Sequence, residues 1–104
     1  VGFWDELKSL PLDDFRPGVQ SRVEIGRDLV MACMEIGSGR EDLGHEHPFE
    51  QCGLVLQGSI EMFVGDQRRV LAAGEAYFIP AGARHGWRTF AEPVRLLDVS
   101  SKTT

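Results

Sequence analysis

The 104 residues, 42% hydrophobic and 26% charged, suffice for one hydrophobic core and exclude both a disordered chain and a long membrane-spanning run. A net charge of −5 argues against nucleic acid as a partner, because an extended polyanion would meet net repulsion. Cys33 and Cys52 form neither a C-x-x-C pair nor a disulfide framework, and read as two small buried residues in a reducing compartment.

In chain order, one domain is expected over 1–104, with an N-terminal arm at 1–18 and a barrel at 19–100. Phe3 to Leu10 spaces Trp4, Leu7 and Leu10 three residues apart, but the stretch is too short to hold a helix by itself. A short turn, or an arm lying on the barrel, is expected there. Val1 to Leu12 lacks the basic, apolar and small-residue succession of a secretory signal, which favours the cytoplasm and no membrane attachment. Trp4, Leu7, Leu10 and Leu12 also offer an apolar surface through which a homodimer would pair.

Beyond the arm, glycine and proline cut the chain into segments too short for helices. Leu29 to Ile36, Gly53 to Gln57, Ser59 to Val64, Arg69 to Leu71, Ala76 to Ile79, Trp87 to Phe90 and Val94 to Val99 are rich in β-branched and aromatic residues and read as strands. Such spacing predicts an all-β sandwich or barrel, here of six to eight strands. The turn Gly65-Asp66-Gln67-Arg68 is expected to join two of them as a hairpin.

The chemistry concentrates in Gly44-His-Glu-His-Pro-Phe-Glu-Gln51. On a continuous strand His45, His47 and Gln51 share a face, with Glu46, Glu50 and Cys52 on the other. The third histidine, His85, follows a Pro80-Ala-Gly82 turn that delivers it to the start of a strand. Glu50 is a competing ligand of the wrong parity. Asp98 lies in the apolar run Val94 to Val99, either at a watered edge or facing the interior as an acid/base, and it shares parity with Val94 and Leu96.

These segments resemble the two motifs of the cupin superfamily. Gly39, five residues, His45-x-His47, three residues, Gln51, six residues and Gly58 reproduce the spacing of the first. Gly74, Pro80, Gly82 and His85 reproduce the second, with Thr89 in place of its asparagine. The resemblance implies a cupin β-barrel, a jelly roll or double-stranded β-helix. It also implies one divalent metal ion (Ni, Zn, Fe, Co or Mn) on His45, His47, Gln51 and His85. Gln51 replaces the usual cupin glutamate, so this ligand set carries no negative charge and would leave the ion a stronger Lewis acid.

His-x-His-x-x-x-Gln, the run Glu50 to Gly58, Phe15-Arg-Pro-Gly-Val19, Arg22-Val23 and the ending Arg95-Leu-Leu-Asp98-Val-Ser are similar to the small KdgF-type cupins. That group linearises 4,5-unsaturated uronates to open-chain ketonic acids, which implies a carboxylated sugar as substrate and Asp98 as the catalytic residue. Ser100 stands where the group carries an aromatic. Arg22, Arg84 and Arg88 are candidates for holding a substrate carboxylate, Arg22 first, and Trp87 either stacks on a sugar ring or belongs to the core. Competing readings are a stand-alone metal- or sugar-binding cupin without catalysis, a cupin lyase, and a dioxygenase.

Overall fold

A computed structural model describes residues 2–102, and among them the chain forms strands and no α-helix. In order these are β1 (Asp13–Arg16), β2 (Val19–Ile25), β3 (Leu29–Ile36), β4 (Glu41–His45), β5 (Gln51–Gln57), β6 (Ser59–Val64), β7 (Gln67–Ala72), β8 (Ala76–Ile79), β9 (His85–Thr89) and β10 (Val94–Ser101). They build two antiparallel sheets, β1-β2-β3-β10-β5-β8 and β4-β9-β6-β7. The all-β architecture is as expected, but six to eight strands become ten among the described residues. Beyond the seven segments read as strands stand β1, β2 and β4: β2 pairs with β3 in unbroken register, β1 pairs with β2 across Pro17-Gly18 and carries a bulge, and β4 pairs irregularly with β9.

Alternation places one face of each sheet inside. Val19, Ile36, Val55, Ile60, Met62, Leu71, Val94 and Leu96 form the core. Removing their apolar surface from water is the main force closing the two sheets on each other. On β10 the same alternation carries Val94, Leu96 and Asp98 inward. The β6–β7 hairpin is tighter than expected. Val64 pairs with Gln67, so only Gly65-Asp66 turn and the strand resumes before Arg69. Gly65 takes φ 60°, as the first central residue of a two-residue hairpin turn requires.

The arm forms one turn, in which the Ser9 N–H donates to the Glu6 carbonyl at 2.9 Å, and then lies on the outer face of the larger sheet. Arg95, pointing opposite to Val94 and Leu96, anchors it. Its Nη1 donates to the Leu7 and Leu10 carbonyls, each at 2.9 Å, and its guanidinium pairs with Glu35 at 3.2 Å. Leu10 and Cys33 are buried there, so these apolar groups are spent on the chain's own sheet. Cys52, expected inside, is exposed. It points away from the cavity on β5, opposite in register to the exposed Phe78 of the edge strand β8. No helix among the described residues is long and apolar enough to cross a membrane.

Candidate metal centre

His45 closes β4 and His85 opens β9, opposite one another in register. His47 is on no strand. The chain leaves β4 at His45, crosses from the smaller sheet to the larger through residues 46–50, and enters β5 at Gln51. Strand alternation therefore does not bring His47 to the other two, contrary to the parity argument. The crossing loop does so, held by the Gly82 N–H on the His47 carbonyl at 2.8 Å and by Phe49 stacked on the His47 ring at 3.9 Å. One ligand-type atom from each histidine falls within 4.8 Å of the others.

The orientation of each imidazole follows from what its Nδ1 meets. His45 Nδ1 faces Asp42 Oδ2 at 3.1 Å, His47 Nδ1 the Phe49 carbonyl at 3.2 Å, and His85 Nδ1 the Ala83 carbonyl at 3.0 Å. All three are acceptors, so a neutral ring keeps its proton on Nδ1 and presents a lone pair at Nε2. Burial opposes the charged form of Asp42, yet the Gly44 N–H, His45 and the Arg16 charge outweigh it and hold this carboxyl below its ordinary value. Burial holds His85 below the ordinary imidazole value, which favours its neutral form.

Two observations fit a cation among these atoms. His85 Nε2 is buried without a hydrogen-bond partner. His47 Nε2 faces Gln51 Oε1 at 2.9 Å, lone pair toward lone pair once Nδ1 holds the proton. Ligands about 2.1 Å from one ion and at right angles stand about 3 Å apart. The cluster can thus hold a metal ion, as an uncharged nitrogen and oxygen donor set.

Behind Gln51 stands Asp98, buried at 7% exposure. Gln51 Nε2 donates to Asp98 Oδ2 at 2.8 Å, and the Tyr77 hydroxyl donates to the same oxygen. An ionised carboxylate only accepts, which turns the amide oxygen of Gln51 toward His47. Burial pushes the Asp98 carboxyl above its ordinary value against the pull of these two donors.

Asp98, Gln51, His45 and His85 line a cavity of about 130 Å³, together with Tyr77, Trp87 and Arg16. Pockets for drug-sized ligands run to roughly 300–1,000 Å³, so this one suits a single small molecule. Trp87 both packs on the core and lines the cavity. Arg22 does not line it. It projects from the outer face of β2, its guanidinium 5.2 Å from the Trp4 ring, because inward positions on β2 fall to Val19 and Ser21. Arg88 is engaged with Glu61 and Phe90, and Arg84 lies exposed against Gly44. The arginine at the cavity is Arg16, at the end of β1, which sequence reasoning passes over since nothing local distinguishes it. Tyr77, on β8, lines the cavity as well. Glu50 is exposed and its N–H donates to Ser101 Oγ at 3.1 Å. Thr89, the departure from the second motif, accepts the Arg40 N–H at 2.8 Å and donates to the Gly37 carbonyl at 2.7 Å, clamping the β3–β4 turn.

The family model for the cupin domain matches residues 32–100. The pectin degradation protein KdgF of Dickeya dadantii (strain 3937) is 27% identical over 93 residues, which span 88% of this chain and 84% of that protein. The solved structure of KdgF from Halomonas sp. superposes with a TM-score of 0.83 at 24% identity, over 100% of this chain and 96% of the other. The TT1209 protein of Thermus thermophilus gives 0.80 at 27% identity, over 94% and 95%. With its two sheets, its histidine cluster and a family match spanning most of its strands, the chain belongs to the cupin family.

Proposed function

We propose that this chain is a metal-dependent enzyme that linearises an unsaturated uronate, with His45, His47, Gln51 and His85 holding one divalent ion and Asp98 moving the proton. The observation that carries this reading is a buried carboxylate, Asp98, in the same small cavity as His45 and His85, which cluster with His47 so that one ligand-type atom from each lies within 4.8 Å of the others. The likeness to a pectin degradation protein supports the substrate class. A divalent ion at this site supplies Lewis acidity toward a sugar oxygen.

Linearisation breaks the bond between the anomeric carbon and the ring oxygen, takes one proton from the anomeric hydroxyl and places one on the ring carbon at the far end of the double bond. No water is consumed, so one side chain able to accept and return a proton is enough. With the histidines engaged as ligands, Asp98 is the group in the cavity that can do so. Its raised proton affinity suits a group that must take a proton up and release it. Arg16 takes the role first considered for Arg22 and holds the substrate carboxylate at the mouth of the cavity, while Trp87 presents an aromatic face to the sugar.

Asp98→Asn tests the proposal, as it keeps shape and removes the base. Loss of ultraviolet absorbance from an unsaturated uronate should slow by roughly 10²–10⁴ in kcat with metal content unchanged. Full activity in that variant removes Asp98 from the mechanism. A wild-type protein that binds uronates without consuming them is a binding module instead.

A further inference from the structure

Resting on Asp98 as the proton-transfer group, we propose that Tyr77 is its positioning residue, and that residue 53 is glycine so that the Tyr77 hydroxyl can reach Asp98 across an intervening strand. Asp98 on β10 pairs with Gly53 on β5, and Gly53 pairs with Tyr77 on β8. The three form one row across three strands, so Tyr77 and Asp98 are two inter-strand spacings apart, about 10 Å between backbones. Only a long side chain laid over the middle residue spans that gap. A Cβ at position 53 would stand 2.7 Å from Tyr77 Cε2 and closer still to Cζ and the hydroxyl. Glycine inside a strand, with no packing side chain of its own, marks such a close approach.

The consequence lies in which carboxylate oxygen is engaged. Tyr77 and Gln51 both donate to Oδ2 of Asp98, and none of the described hydrogen bonds reaches Oδ1. Two donors arriving from different strands fix the plane of the carboxylate and leave Oδ1 to exchange a proton with substrate. Removing the tyrosine donor leaves Gln51 as the one remaining restraint. Burial and the neighbouring Asp98 push the Tyr77 phenol above its ordinary value, so it stays a donor at any pH at which the enzyme would work.

Tyr77→Phe keeps the ring over Gly53 and deletes only the donor. It should lower kcat about ten- to a hundredfold, the worth of one hydrogen bond to a charged group, with KM within about threefold and metal content unchanged. In an Asp98→Asn background it should have no further effect, because it acts only through Asp98. Gly53→Ala should displace the ring and reproduce the loss; where it fails to fold, the Tyr77–Asp98 cycle decides alone. Wild-type kcat in Tyr77→Phe alongside an inactive Asp98→Asn overturns the positioning role and leaves the uronate reading intact, as do losses that simply multiply in the double variant. An active Asp98→Asn overturns the reading itself. A crystal structure of Tyr77→Phe judges the geometry without any substrate: the Asp98 carboxylate should leave its wild-type rotamer, and an unmoved carboxylate overturns the proposal.

Discussion

Gln51→Glu restores the carboxylate usual at this cupin position with almost no change of volume, and the contacts around Gln51 determine its effect. In the wild type the amide Nε2 donates to Asp98 Oδ2 at 2.8 Å. Glutamate puts an acceptor there, and two ionised carboxylates at that separation repel by about 6 kcal/mol at an effective dielectric near 20. At 7% exposure Asp98 gains little relief from water. The repulsion raises the proton affinity of the pair above that of either carboxyl alone, which favours a state in which the two share one proton. With a cation on the histidines the glutamate is the one that ionises, and Asp98, protonated, stops being a base. Metal affinity, read by chelator competition, should rise, while turnover of an unsaturated uronate, read by ultraviolet absorbance in the same preparations, should fall by roughly 10²–10³. Adding Asp98→Asn supplies a new donor to the glutamate and should recover melting temperature without recovering turnover. Tighter metal binding with undiminished turnover would refute the reasoning, for it would mean that the neutral amide beside Asp98 is incidental.

His47→Ala removes one of the converging imidazoles without touching the core, and should weaken metal binding at least about a hundredfold in a protein that still unfolds cooperatively, as followed by metal titration and thermal melting. Asp42→Asn leaves His45 in place but replaces the carboxylate behind its Nδ1, and should cost about ten- to a hundredfold in metal affinity, measured by the same titration. Arg95→Met strands the Leu7 and Leu10 carbonyls and unpairs Glu35, so stability should drop by about 2–3 kcal/mol, or roughly 10–20 °C in a thermal scan. The same variant should free the arm and speed the reaction of Cys33 with a thiol reagent, which in the wild type should label Cys52 alone; a Cys33 that stays protected would mean that Arg95 does not hold the arm.

What was readable from the sequence was local. Alternation along Val94, Leu96 and Asp98 assigned the inward face of β10, Gly65-Asp66 marked a hairpin, and the spacing of His45, His47, Gln51 and His85 marked a candidate metal site, since period and spacing are properties of one stretch of chain. The tertiary structure decided the rest, because it depends on which strands become neighbours. His47 reaches the cluster by a crossing between sheets that ends β4 early, so alternation was the wrong mechanism for that residue. Arg16 faces the cavity and Arg22 the Trp4 ring because the β1–β2 hairpin and its bulge set their directions, and neither arginine carries a local mark of that outcome. Thr89 finds its partners in the β3–β4 turn, and Tyr77 meets Asp98 only over the empty side of Gly53. Residues so far apart in sequence are brought together by closing the sheets around the core, an interaction of the whole chain that no local pattern encodes.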